Sequence, residues 1–211
     1  MAIAQLLDAL LTEIDTGLRT LAAATPSARP GPAAGFAAVP LSADDQAAGA
    51  ALMRVNHAGE VAAQALYRGQ AFTTRDLGIR QSLLDAAREE QDHLAWCQQR
   101  VNELGGRTSL LGPLWYAGSF ALGAAAGLLG TSTGLGFVVE TERQVEEHLS
   151  RHLDRLPAPD LASREILRQM RADEAAHGAK ARELGGTDLP PPVRTAMRLV
   201  ARIMTTVAHR L

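Results

Sequence analysis

The sequence has 211 residues, enough for one domain with a sizeable hydrophobic core or for one domain with an appendage. Ala, Leu and Arg dominate while β-branched and aromatic residues are scarce, and this composition favours an all-α chain. The formal net charge of −2 excludes a global positive field, so we expect no nucleic-acid partner.

The N-terminal segment, residues 1–41, is predicted to form an amphipathic helix followed by a Pro-rich linker. Leu and Ile recur at helical spacing through MAIAQLLDALLTEIDTGLRTL, with acidic residues between them. This stretch lacks the basic start and the long apolar centre of an export signal. Pro and Gly are frequent over residues 24–42, which indicates a loop. We therefore expect a separate main domain at residues 42–211.

Four central helices and one C-terminal helix are predicted in the main domain. The central helices are expected at Ser42 to Phe72, Asp76 to Leu104, about 140 to Leu156, and Leu161 to Leu184, and the last helix follows the prolines at 190–192. Ser42 is a suitable N-cap with two acids after it. The single cysteine, Cys97, excludes an intrachain disulfide, suits a reducing compartment and is predicted to be a small buried apolar residue.

A long uncharged run separates the second central helix from the third. Residues 108–139 contain no charged side chain, and seven of them are glycines. The run is long enough to raise the question of a transmembrane helix. Its glycines would permit close helix packing or a bend.

The motif Glu-x-x-His occurs in two of the central helices, as Glu90–His93 and as Glu174–His177. Residues three apart lie on one face of a helix, so each pair can bind one cation. Each motif is therefore a candidate half of a metal site.

The other two central helices each contribute one more carboxylate, Glu60 and Glu142. The spacings nearly repeat, with 30 residues from Glu60 to Glu90 and 32 from Glu142 to Glu174. The chain is therefore interpreted as two similar helical hairpins. A four-helix bundle with Glu on two helices and Glu-x-x-His on the other two is the ferritin-like arrangement that binds two iron or manganese ions. The uncharged run would supply the single long crossover of such a bundle.

Charge explains why this bundle would require metal ions. Four carboxylates directed into one bundle repel each other and lose their hydration, at a cost on the order of several kcal/mol per ion. Two divalent cations would neutralise the four negative charges, and two neutral imidazoles would complete the ligand set. Mixed oxygen and nitrogen ligands suit iron or manganese better than a metal that prefers thiolates.

Less specific interpretations of the same residues stay open. The acids could be members of surface salt bridges, and His93 could be a core histidine with an ordinary hydrogen bond. Glu89 and Asp173, each four residues before a histidine of the motif, could hydrogen-bond to a ligand imidazole or remain solvated. His148 lies six residues after Glu142 and could also contribute to function.

Several longer stretches resemble the demethoxyubiquinone hydroxylases of ubiquinone biosynthesis, a family of ferritin-like di-iron monooxygenases. The resembling stretches are RVNHAGEVAAQALYRGQA, EEQDHLAWC, LWYAGSFALGAAAGLLG, GFVVETERQVEEHL and RADEAAHGAKARELG, which cover most of residues 50–186. NHAGE followed by YRGQ is far more specific than Glu-x-x-His alone. Residues 1–40 resemble nothing that assigns them a role.

The resemblance implies a fold, a reaction and a ligand set. The fold would be an all-α ferritin-like four-helix bundle with a long apolar crossover and additional N- and C-terminal helices. The enzyme would hydroxylate the ring of a polyprenyl methoxy-methyl-benzoquinol with O2, using two iron ions per chain. The iron ligands would be Glu60, Glu90, His93, Glu142, Glu174 and His177. No flavin or nicotinamide fingerprint occurs, so the electron donor is open between the quinol itself and a nicotinamide.

The predicted metal ligands exclude a single membrane crossing by the uncharged run. Half of them precede residues 108–139 and half follow, so one crossing would divide the site between two compartments. A hydrophobic crossover or a hairpin embedded in the membrane interface is expected instead, with buried core as the alternative. Arg194, Arg198 and Arg202 recur every four residues and could bind anionic lipid headgroups. We expect a peripheral protein on the cytoplasmic face of the cell membrane, where it could associate with other ubiquinone-biosynthesis proteins.

Two other function classes are consistent with parts of the sequence. One is a soluble ferritin-like protein that handles iron or reduces peroxide, although no Cys-x-x-Cys is present for a rubredoxin-like centre. The other is a non-enzymatic helical scaffold for a biosynthetic complex at the membrane. Metal content and quinone composition distinguish these classes from a hydroxylase.

Overall fold

A computed structural model describes residues 3–22, 26–36 and 40–211, so the first two residues and parts of the predicted linker lie outside the described residues. These ranges contain seven helices and no strand, which confirms the all-α prediction. The helices are α1 (Ile3–Ala22), α2 (Ala43–Thr73), α3 (Leu77–Glu103), α4 (Gly112–Leu128), α5 (Thr131–Arg155), α6 (Leu161–Glu183) and α7 (Pro191–Ala208).

Side-chain caps begin three of the long helices. The Ser42 side chain accepts a hydrogen bond from the backbone N–H of Asp45 at 3.1 Å, and Asp76 caps α3 in the same way. Asp160 caps α6 by accepting from the N–H of Ser163 at 3.0 Å. Such bonds satisfy amide groups that have no partner inside the helix. The predicted bounds of α2, α3 and α6 are confirmed to within about one residue.

Helices α2, α3, α5 and α6 form a four-helix bundle with two separate apolar cores. One core takes buried side chains from all four helices at one end of the bundle, including Met53, Cys97, Leu149 and Leu167. The other core lies at the opposite end and includes Tyr67, Leu83, Val138 and Ala181. Cys97 is fully buried, as predicted. The layer between the two cores is polar and contains the candidate site.

The crossover is a helix that packs along α2 at very close range. A Cβ atom added to Gly123 of α4 would lie 2.1 Å from the carbonyl oxygen of Leu66, and one added to Gly69 of α2 would lie 2.1 Å from that of Phe120. Only glycine permits backbones to approach this closely. The predicted close packing by glycines is confirmed.

The uncharged run is not one structural unit, which corrects the predicted start of the third central helix near residue 140. Residues 131–139 already form the first turns of α5, where Leu135 and Val138 are buried in an apolar core. These first turns of α5 contain no charged residue because they pack against an apolar core, so charge patterning could not indicate where the helix begins. Gly130, at φ +99°, separates α4 from α5. No helix within the described ranges is long and apolar enough to cross a membrane.

Helices α1, α4 and α7 form an outer layer, each in contact with α2. Arg68 of α2 binds Glu13 of α1 through two contacts of 2.7 and 2.9 Å, and Gly17 of α1 lies against the ring of Tyr116. Ala208 of α7 packs against Val55 and Ala58. The outer layer leaves many large apolar side chains exposed. They are Leu6, Leu7, Leu10, Leu11, Ile14 and Leu18 on α1, Leu114, Leu122 and Leu128 on α4, and Leu199, Val200 and Ile203 on α7.

Candidate metal centre

All six predicted ligands lie in the polar layer between the two apolar cores, and none is more than 8% exposed. Glu60 comes from α2, Glu142 from α5, and the two Glu-x-x-His motifs from α3 and α6. The surface salt-bridge interpretation is therefore wrong for these residues.

The six residues form two overlapping groups whose ligand atoms lie within 4.8 Å of one another. One group contains Glu60 and His93 and the other contains Glu142 and His177, while both contain Glu90 and Glu174. Two carboxylates common to both groups suit a pair of metal ions with two shared ligands. The arrangement is compatible with a di-iron site.

Each imidazole directs Nδ1 into the centre and Nε2 away from it. Nδ1 of His93 is 3.0 Å from Glu90 Oε2 and 3.3 Å from Glu174 Oε1. Nδ1 of His177 is 3.3 Å from Glu90 Oε1 and 3.4 Å from Glu174 Oε2. One nitrogen of each ring is thus available to a metal ion.

The outer nitrogens are held by acids from the opposite helix. Nε2 of His93 lies 2.9 Å from Asp173 Oδ2, and Nε2 of His177 lies 2.9 Å from Glu89 Oε2. Each acid lies four residues before the histidine on its own helix, so the two pairs share one antiparallel register of α3 and α6. An acid in this position fixes the ring and leaves Nδ1 unprotonated for a metal. The open question about Glu89 and Asp173 is answered in favour of hydrogen bonding.

Several buried polar atoms in the centre have no hydrogen-bond partner among the described residues. They are Oε2 of Glu60, Oε1 of Glu90, Oε2 of Glu142, both carboxylate oxygens of Glu174, and Nδ1 of His177. A buried carboxylate without a partner is costly. Their convergence on one layer means that the donor set fits divalent cations, which would satisfy these atoms together.

The same environment perturbs the protonation of the ligands. Burial raises the pKa of Glu60 and of Glu142, and neighbouring carboxylates raise it further. Burial lowers the pKa of His177, but the nearby carboxylates of Glu174 and Glu90 outweigh this and raise it to about 12. Without cations the layer therefore retains protons. Metal ions would replace them, so their binding is coupled to proton release.

Tyr67 is a member of the centre that the sequence reasoning missed. Its hydroxyl donates a short hydrogen bond to Oε1 of Glu142, and its ring meets that of His177 edge to face with centroids 6.3 Å apart. The available signal was its position seven residues, or two helical turns, after Glu60 in the YRGQ stretch.

His148 belongs to neither ligand group. Its ring lies 3.9 Å from that of His152, centroid to centroid, and Nδ1 of His152 is 2.9 Å from Oδ1 of Asn56. Burial, with the charges of Arg151 and Arg155, lowers the pKa of His148 to about 4. His148 is therefore a neutral packing residue away from the centre.

A cavity of about 200 Å³ reaches the centre from one side, between α3 and α6. Its walls are mostly apolar, with Leu83, Ala86, Val138 and Ala176 among them, and the buried residues Tyr67 and His177 also line it. The cavity therefore approaches the half of the centre that contains Glu142 and His177.

Comparisons with known proteins agree with this geometry. A family model described as ubiquinone biosynthesis protein COQ7 matches residues 47–208 of the chain. The match includes all six candidate ligands and Tyr67.

Three bacterial relatives carry the name 3-demethoxyubiquinol 3-hydroxylase. The one from Ralstonia pickettii is 55% identical and covers 98% of this chain and 100% of its own. Those from Cupriavidus necator and Chromobacterium violaceum are 56% and 55% identical, and cover 97% and 98% of this chain and 100% of their own.

Among solved structures, the chain is similar to a dodecameric thioferritin, the bacterioferritin-related protein from Bacteroides fragilis. The TM-score is 0.55 and the identity 16%, over 79% of this chain and 92% of the other. This similarity concerns the fold, which it identifies as ferritin-like.

Proposed function

The chain belongs to the family of ubiquinone biosynthesis protein COQ7, and from this premise we propose that it is a 3-demethoxyubiquinol 3-hydroxylase. The observation that carries the proposal is the buried layer in which unpartnered carboxylate and imidazole atoms converge from four helices. In a non-enzymatic scaffold such a layer would only lower the stability of the fold, because burying four carboxylates opposes folding.

The layer holds two iron ions in this proposal. Glu60 and His93 would hold one ion and Glu142 and His177 the other, with Glu90 and Glu174 close to both. When bound, the two irons supply the activation of O2. One atom of O2 would enter the ring as a hydroxyl group, and the other would be reduced to water with two protons and with two electrons from the quinol or from a nicotinamide donor.

The surrounding residues orient the ligands and exclude water. Asp173 and Glu89 hold the imidazole rings from outside, and Tyr67 fixes the Glu142 carboxylate. The apolar cores above and below keep bulk water out of the layer. The cavity beside His177 offers the quinol ring an apolar approach to the centre.

We place the protein at the membrane, on its cytoplasmic face, as a peripheral protein. Its substrate carries a polyprenyl tail that resides in lipid, and the outer layer formed by α1, α4 and α7 exposes many leucines. Exposed apolar surface of this extent marks an interaction site in soluble proteins. The outer layer thus supplies a surface for lipid contact.

Replacing one shared ligand tests the hydroxylase assignment. Glu90→Gln keeps the shape of the side chain but removes the charge that holds metal, so we expect iron to fall from about two ions per chain to near background. In a strain that lacks the protein, Glu90→Gln should leave the unhydroxylated precursor accumulated, whereas wild type should clear it. Iron analysis after anaerobic purification and chromatography of extracted quinones measure the two effects.

Glu103→Gln is the matched control, because Glu103 lies on the same helix but is 42% exposed and pairs with Arg100. It should retain iron and restore ubiquinone. Restoration of wild-type ubiquinone by Glu90→Gln would overturn the assignment, and so would wild-type protein without iron.

A further inference from the structure

A short part of the N-terminal segment lies directly beside the metal centre. Residues 26–36 precede α2 and contact α3, where the N–H of Ala28 donates to Oδ1 of Asp92 at 2.6 Å. The indole N–H of Trp96 donates to Ser27 Oγ at 3.1 Å, and the guanidinium of Arg29 lies 4.8 Å from the centre of the Trp96 ring. These contacts place Arg29 at a defined position against the bundle.

Arg29 joins two acids that belong to facing helices. Its Nε lies 2.7 Å from Oδ2 of Asp92 on α3, and its Nη2 lies 2.9 Å from Oδ2 of Asp173 on α6. That same Asp173 oxygen is 2.9 Å from Nε2 of His93. A single oxygen atom thus connects Arg29 to a candidate metal ligand.

We propose that Arg29 is a positioning residue for the metal centre, acting through Asp173 on His93. The inference rests on the proposed function. Asp92 is 5% exposed and Asp173 15%, so without a cation between them two poorly solvated carboxylates would face each other across α3 and α6. Asp173 would then be held only by Gln169 and by His93 itself, so the acceptor that fixes the His93 ring would be less firmly placed.

The two halves of the centre differ in this support. Glu89, which holds His177, is 50% exposed, and no Arg or Lys pairs with it among the described residues. The His177 half also borders the cavity between α3 and α6, whereas residues 26–36 contact the His93 half through Asp92 and Asp173. Loss of Arg29 should therefore weaken the binding of one of the two ions, the one that Glu60 and His93 would hold.

Iron release to a ferrous chelator tests this assignment with full-length, iron-loaded protein. In Arg29→Gln we expect about one of the two irons to leave roughly 10 to 100 times faster than in wild type, the usual range for loss of a group that supports a ligand. The second iron should leave at nearly the wild-type rate. Arg29→Lys can form one ion pair but not both, so it should give an intermediate rate.

Arg68→Gln is the matched control, because it breaks a two-contact ion pair between the N-terminal segment and the bundle that does not reach a ligand. It should release iron as wild type does. Equal acceleration in Arg29→Gln and Arg68→Gln, or loss of both irons together, would mean a merely structural role and overturn the inference.

Two further outcomes separate the inference from the proposed function. Wild-type protein that binds no iron contradicts both, while iron-loaded wild type with unchanged release in Arg29→Gln contradicts the inference alone. If Arg29→Gln fails to fold, Asp92→Asn replaces it in the experiment. This substitution removes the ion pair between Arg29 and Asp92 but leaves the ion pair between Arg29 and Asp173. It should accelerate release of the same single iron to a smaller extent, and a wild-type rate would again overturn the inference.

Discussion

Individual side chains around the centre differ in whether local sequence could identify them. The two Glu-x-x-His motifs were identifiable because residues three apart share a helix face wherever the helix lies. The partners of the imidazoles were not assignable, since each acid serves the histidine of the other helix, 80 or 88 residues away. Arg29 was out of reach for the same reason, because its role depends on a contact across 63 residues with Asp92.

Tyr67 provides a prediction at this scale. Tyr67→Phe keeps the ring against His177 but removes the hydrogen bond to Glu142, so that carboxylate loses its fixed orientation. We expect iron release to accelerate on the order of tenfold, confined to the ion held by Glu142 and His177. Chelator kinetics measure the rate, and the free energy of unfolding should fall by about 1–3 kcal/mol, the cost of leaving a buried acceptor without its hydrogen bond.

Tyr116→Phe is the control for this prediction, since Tyr116 packs against Gly17 outside the metal layer. It should leave iron release unchanged. A wild-type release rate in Tyr67→Phe would show that the hydroxyl does not hold Glu142 in the loaded protein.

At the level of helices, the sequence predicted most boundaries because capping residues and glycines mark them locally. Ser42, Asp76 and Asp160 begin helices through side-chain hydrogen bonds, and Gly105 and Gly185 adopt positive φ after α3 and α6. The junction of α4 and α5 was mispredicted, because both sides of it are apolar for different reasons. The end of α4 is apolar because α4 packs against α2, and the start of α5 is apolar because its side chains are buried in a core.

The contact between α2 and α4 predicts a strong effect of a single methyl group. Gly123→Ala would place a Cβ 2.1 Å from the carbonyl oxygen of Leu66, so the two helices must separate. We expect a loss of roughly 3 kcal/mol or more in the free energy of unfolding, at the upper end of the cost of overpacking. Urea denaturation of the purified protein measures this loss.

Gly118→Ala on the same helix is the comparison, because nothing lies within 4 Å of the added atom. It should be neutral or stabilise by about 0.5–1 kcal/mol through the helix propensity of alanine. Equal stability of the two variants would contradict the close packing of α4 on α2.

For the whole molecule, the distribution of apolar and charged side chains on the outer layer determines how it would meet a membrane. The leucines of α1, α4 and α7 are exposed, but one of the arginines expected to bind headgroups already has an acidic partner. Arg198 lies 3.8 Å from Glu140, which is itself only 5% exposed. Apolar contact should therefore contribute more to membrane binding than charge does.

Vesicle flotation checks this expectation. Wild type should float with anionic vesicles at low salt, and most of the binding should persist at high salt because buried apolar area is not screened. Replacing Leu7 and Leu11 of α1 together by Glu should reduce binding severalfold. Leu77→Glu is the control, since Leu77 is 75% exposed but lies at the start of α3, outside the outer layer. Failure of wild type to bind at low salt would contradict the membrane proposal.

The polar layer between two apolar cores also determines how the helices are aligned along their axes. Apolar packing alone tolerates several alignments, because leucine, valine and alanine substitute for one another with modest cost. Sliding one helix by a single turn, about 5.4 Å, would carry its carboxylate out of the layer and toward Met53 or Leu83 and their apolar neighbours. An isolated charge buried there is strongly unfavourable. The six candidate metal ligands therefore also select one register of the bundle.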